Sequence, residues 1–226
     1  VSSAVSTNTV SVSWAASGTG TLTNALTLTP TYTPGVGETG TVTLTLTAAG
    51  NLPCPTVADA MQLLIQDYPT AFAGNNASVC QNTNYTISDA SAANFSVFTW
   101  SHNGAGNLTE TNTLTPTYHP GINEAGLVTI TLTSNGLSSC LPVSHSMNLS
   151  IDPLPIADAG PDGTSCQGFP FSVSGAHATN QSSVQWIENG AGTLVNSNTL
   201  TPVYTPTSNE TGIVMLTLKV SGSSAC

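Results

Sequence analysis

Covalent or metal-binding chemistry in this chain would rest on its five cysteines, its four histidines and a few of its eleven acidic residues, since Lys219 is the single cation besides histidine. The cysteines fall into two registers, Cys54, Cys140 and Cys226, and Cys80 and Cys166, with 86 residues between successive members. Dispersed cysteines without a C-x-x-C pair argue for disulfides over zinc. Two pairings are open. Cys80 with Cys140 and Cys166 with Cys226 would make each unit self-contained, and this is the expected arrangement; the alternative joins Cys80 to Cys226 across a junction. In the first, the partner of Cys54 lies before Val1. Closing a loop of that length is worth about 4 kcal/mol in the chain-entropy model, and disulfides imply an oxidising, extracellular setting.

The same 86-residue comparison tests the other groups. His102 aligns with Ala16 and Glu188, His119 with Thr33 and Thr205, His145 with Asp59, and His177 with Ser91. No shared metal or acid-base site is expected from them, and exposed polar positions are. Glu38, Glu124 and Glu210 do recur. Each precedes an alternating strand, where a carboxylate can accept backbone N–H groups or help to bind calcium; with no second acid recurring beside it, the structural role is expected. Asp158 and Asp162 align with Phe72 and Asn76, which argues against a calcium clamp at every linker. No Gly-x-Ser-x-Gly elbow accompanies a His and an Asp, and no carboxylate pair suits glycoside hydrolysis. An enzyme and a cofactor are therefore not expected.

The elements that hold these residues repeat in register. Trp14, Trp100 and Trp186 lie 86 apart, as do Tyr32, Tyr118 and Tyr204, with Gly-x-Gly and Leu-Thr-Pro between them. A fixed period marks a tandem array, giving a partial repeat over 1–68, a complete one over 69–154 and a partial one over 155–226. Val1 aligns with Ile87, so the chain is expected to be cut from a longer array. Thr41 to Thr47 alternates apolar and polar residues, as a half-buried strand does; Val128 to Leu132 and Val214 to Leu218 are its counterparts. Asn135-Gly136 is a hairpin signal. Met61, Leu63 and Ile65, matched by Met147, Leu149 and Ile151, form the closing strand, Pro69 and Pro153 stiffen the linkers that follow, and each new unit continues with a short strand to Cys80 or Cys166. Short strands with Gly, Pro and Asn turns, and no 3.6-residue period, predict an all-β fold of tandem immunoglobulin-like Greek-key β-sandwiches. The tryptophans are expected between the sheets and the tyrosines at a corner.

A formal charge of −10 with a single Lys excludes ordinary nucleic-acid binding, and no apolar run approaches the length of a membrane span. The ordered string Ala-x-Ala-Gly, Cys, Trp, Gly-x-Gly, Leu-Thr-Pro-x-Tyr-x-Pro, Glu-x-Gly, alternating Thr/Leu strand, Cys, Met-x-Leu-x-Ile resembles the PKD-like, immunoglobulin-like repeats of large Bacteroidetes surface proteins. Gliding-motility adhesins and other cargo of the type IX secretion system are among these. Gly104-Ala105-Gly106 replaces the usual Trp-x-Phe-Gly-Asp-Gly turn, so the likeness is to PKD-like repeats. The resemblance implies a stalk or filament on the cell surface, whose partners are neighbouring repeats and an external surface or glycan reached through a domain elsewhere; Thr-rich edge strands without the lysines that block edge pairing add association with other copies of the chain. The alternative is that the repeats are themselves a glycan- or protein-binding module.

Overall fold

The computed structural model describes residues 1–138, 140–222 and 225–226. Among them every regular element is a strand. The first repeat holds β1 (Thr9–Ala16), β2 (Thr21–Thr23), β3 (Thr31–Thr33), β4 (Gly40–Gly50) and β5 (Val57–Ile65). The second holds β6 (Thr70–Phe72), β7 (Ala77–Cys80), β8 (Tyr85–Thr86), β9 (Ser91–Ala93), β10 (Phe95–His102), β11 (Asn107–Thr109), β12 (Thr117–His119), β13 (Gly126–Gly136) and β14 (Val143–Asp152). The third holds β15 (Ile156–Asp158), β16 (Phe171–Ser172), β17 (His177–Thr179), β18 (Ser183–Glu188), β19 (Thr193–Val195), β20 (Val203–Thr205) and β21 (Leu216–Ser221).

The second repeat builds one sheet in the order β10-β13-β14-β7 and a second in the order β11-β12-β8. β14 meets β7 in parallel, from Leu149 opposite Ala77 to Asp152 opposite Cys80. The pairing register recurs with the sequence period: Trp14 faces Leu46 across β1 and β4, and Trp186 faces Leu218 across β18 and β21. These strands make immunoglobulin-like β-sandwich repeats.

Chain contacts divide the described residues into two compact units, one of Val1–Thr70 with Ala93–Val97 and Asn135–Val143, the other of Ala71–Ala92 with Phe98–Ser134 and Ser144–Cys226. In the second unit the period-2 pattern of β13 buries Val128, Ile130 and Leu132 against Met147, Leu149 and Ile151 of β14, and Ala73, Val79, Ile87 and Tyr118 complete the core. The outward hydroxyls cross-link the two strands instead: Thr131 to Ser146 and Thr133 to Ser144 at 2.8 Å, and Thr129 to Asn148 at 3.2 Å. A smaller core gathers Val173, Trp186 and Leu218. In the first unit Val42, Leu44 and Ala48 are buried, but Met61 of β5 is 41% exposed where Met147 of β14 is 1% exposed. Among the described residues the β1-β4-β5 sheet has no fourth strand beside β5, where β14 has β7.

Three sequence expectations change. Asn135-Gly136 ends strand β13 and does not form the turn; Cys140 N–H donates to the Leu137 carbonyl at 3.0 Å, so the turn comes after the glycine. β21 begins at Leu216, later than the alternation from Val214 suggests. The segment reaching Cys166 is not a strand, unlike β7 at Cys80. β7 has β14 as its neighbour, whereas no described strand pairs with the segment reaching Cys166, and a lone extended segment has no ladder.

Candidate functional site

The recurrent Trp, Gly, Tyr and Glu assemble the same structure in each repeat. Left-handed residues at equivalent positions, Asn24 (φ 54°), Glu110 (φ 56°) and Asn196 (φ 55°), turn the chain after the Gly-x-Gly strand. The carbonyl of the third residue beyond each accepts the indole N–H: Trp14 to Thr27 at 3.1 Å, Trp100 to Thr113 and Trp186 to Thr199 at 3.0 Å. Trp186 is buried, whereas Trp14 and Trp100 are half-buried. Tyr118 and Tyr204 are buried and Tyr32 is half-buried.

Each tyrosine hydroxyl is clamped between a backbone donor and a carboxylate. Gly106 N–H donates to Tyr118 Oη at 3.0 Å, and that hydroxyl donates to Glu124 at 2.9 Å. Glu124 also accepts from Ala105 N–H at 2.6 Å on Oε1 and from Gly121 N–H at 2.7 Å on Oε2. Glu38 accepts in the same way from Thr19, Gly35 and Tyr32 at 2.7, 2.7 and 2.8 Å. Glu210 accepts from Ala191, Thr207 and Tyr204 at 2.8, 3.0 and 2.8 Å. The glycines are required by close approach: a Cβ on Gly104 would overlap Tyr118 Oη, and one on Gly106 would overlap the His119 carbonyl.

The donors tune the acid. For Glu38 the Gly35 N–H, and for Glu210 the Ala191 N–H, holds the carboxyl below its usual range. Burial pushes Glu124 up, but the Gly121 and Ala105 N–H groups and the Tyr118 hydroxyl outweigh it and the carboxyl is again held low. Burial, with Glu124 as a neighbour, raises Tyr118 to about 12. Both carboxylate oxygens already accept N–H or O–H groups. The recurrent Glu therefore locks the loop to the tyrosine and offers calcium no open pair of oxygens. Among the described residues no three of His, Cys, Asp and Glu cluster as a metal site.

The histidines are more structural than their scattered alignment suggests. His145 Nδ1 accepts Ala73 N–H at 3.0 Å and its ring packs on Phe72 at 5.0 Å. His102 sets its ring edge-on to Tyr118 at 5.2 Å, and His119 Nε2 bonds Thr109 Oγ1 at 3.0 Å. These replace the exposed polar positions expected from sequence; His177, at the end of β17, is exposed as expected.

The cysteines correct the expected pairing. Cys80 is bridged to Cys226, with Cα atoms 4.9 Å apart, while Cys54, Cys140 and Cys166 are unbridged. The reason lies in β14. Cys80 sits opposite Asp152, the last residue of that strand, whereas Cys140 precedes its first residue, Val143. Ten strand residues, about 30 Å, separate the two, and a disulfide needs Cα atoms within about 7 Å. Cys226 is the third-repeat counterpart of Cys140 and arrives at the linker where Cys80 lies.

That linker, Asp152 to Pro155, is gripped from both sides. Gln81 N–H donates to the Asp152 carbonyl at 2.8 Å, and the Gln81 side-chain oxygen accepts Leu154 N–H at 3.2 Å. From the third repeat, Asn180 Nδ2 donates to the Leu154 carbonyl at 2.9 Å. Its counterpart Asn94 donates to the Tyr68 carbonyl at 3.2 Å. Asn8, Asn94 and Asn180 share a left-handed φ of 55–57°. Sequence reasoning passed over this asparagine, although its recurrence at the 86-residue period was a readable signal.

No family model matches the chain. No curated protein matches it. Among solved structures, a three-immunoglobulin-domain titin fragment in its E-to-A variant aligns with a TM-score of 0.51 and the I-band fragment itself with 0.50. Both are 14% identical over 94% of this chain and 83% of theirs. Extracellular domains 3–5 of Drosophila OTK align at a TM-score of 0.41 and 8% identity, over 95% and 84%. The titin likeness carries the fold: tandem immunoglobulin-like domains.

Proposed function

We propose that these repeats are structural segments of a long extracellular surface protein, setting its reach and stiffness. The observation that carries this reading is the Asp152 to Pro155 linker, held by Gln81 and Asn180 and closed by the Cys80–Cys226 bridge. A hinge between independent modules has no use for such fastenings. The bridge supports an oxidising, extracellular location. A chain with one Lys and no Arg also leaves trypsin-like proteases a single site, which suits exposure.

The resemblance to PKD-like repeats extends the reading to a bacterial adhesin or filament, in attachment or gliding. The repeats then act without catalysis, pack on their own neighbours, associate with other copies into filaments, and hold out a binding domain located elsewhere. The recurrent aromatic and acidic residues are spent on the Tyr–Glu lock, which supports a scaffold over a binding module. Electron microscopy of cells and of purified protein, using an antibody against one 86-residue repeat, tests it. Labelling along rods at about 35–40 Å per repeat is expected; compact labelled particles released into the medium would overturn the reading.

A further inference from the structure

We infer that the Cys80–Cys226 bridge is one link of an overlapping series that makes the array nearly inextensible and keeps it joined through backbone cuts. The inference deepens the stalk reading and rests on it for its use, though not for its geometry. The bridge spans 146 residues, 60 more than the 86-residue period. Where the period continues, each bridged loop must therefore overlap the next. The unbridged cysteines are the remaining half-links: Cys166 stands in the register of Cys80, and Cys54 and Cys140 in that of Cys226. Cys140 is already placed for the role, its Sγ 3.8 Å from the Asp67 carbonyl as Cys226 Sγ is 3.4 Å from that of Asp152. Closing each link takes two thiols to one disulfide, with two electrons and two protons passing to a disulfide oxidant of the extracytoplasmic space.

Two consequences follow from overlap. Any peptide bond within the run lies inside at least one bridged loop, so a single proteolytic cut leaves the two sides covalently joined. Bridges confined to single repeats would leave every linker as a point of severance. Under tension, the shortest covalent route advances two repeats through one bridge and the 26 residues from a Cys140 position to a Cys166 position. Fully extended, that route measures about 95 Å, against about 70–80 Å for two folded repeats. Unfolding can release little length.

Single-molecule stretching of the 226-residue chain between tethers at its two termini tests the inference. In the oxidised chain only the residues before Cys80 can extend, and a total contour of about 280 Å is expected. Reduction, or Cys80→Ser, should add about 500 Å. Cys166→Ser should leave the short contour unchanged, which excludes a bridge from that cysteine. Full-length extension of the oxidised wild-type chain, or lengthening by Cys166→Ser, would overturn the inference. Neither result depends on whether rods are seen on cells, so the two readings fail separately.

Discussion

At the residue scale, the Tyr–Glu lock has a pH signature. Glu124 is held below its usual range when folded, so the unfolded chain takes up the proton first as pH falls. The carboxylate's contribution is whole above about pH 4.5 and drains away as pH falls through the folded value. Glu124→Gln should cost about 1–2 kcal/mol at neutral pH and flatten acid unfolding, as followed by circular dichroism. Tyr118 works in the other direction: with its hydroxyl raised to about 12, stability is complete below pH 10 and is lost between 10 and 12. Gly106→Ala would force a Cβ into the His119 carbonyl and should cost about 1–3 kcal/mol. An opposite sign is expected at Ser134, whose hydroxyl is fully buried without a hydrogen-bond partner while its first-repeat counterpart is Ala48. Ser134→Ala should raise the urea midpoint, by about 1 kcal/mol of stability.

At the element scale, the same strand sequence has different value in different repeats. Met147 lies on a β14 face covered by Val79 and Ile87, whereas Met61 lies on an uncovered β5. Met147→Ala should cost about 2–5 kcal/mol; Met61→Ala should stay within about 0.5 kcal/mol, with denaturant midpoints as the measurement. Alternation identified both strands, because period-2 patterning depends only on which face is apolar. It could not say that Asn135-Gly136 would remain in strand β13, since turn position depends on where the partner strand stops. Nor could it show that the Cys166 segment would stay outside a sheet, because a strand forms only where a neighbour supplies its hydrogen bonds.

At the scale of the whole molecule, the connectivity of the cysteines can be read chemically with the single trypsin site. After blocking of free thiols and denaturation, cleavage at Lys219 leaves a C-terminal heptapeptide carrying Cys226. Mass spectrometry should find it attached in the Cys166→Ser chain and released from the Cys80→Ser chain; the reverse pattern would restore the within-repeat pairing. The sequence by itself determined the period, the strand faces, the all-β class and the residues of the lock. Those properties are local or periodic, and three copies in register separate requirement from accident. The tertiary structure decided the bridge, the grip of Gln81 and Asn180 on the linker, and the joining of the Tyr118 hydroxyl to Glu124. Each depends on which end of a strand meets which neighbour: the parallel pairing of β7 with β14 carries Cys80 a full strand length from Cys140 and beside Cys226. Cysteine spacing along the chain contains no term for that distance.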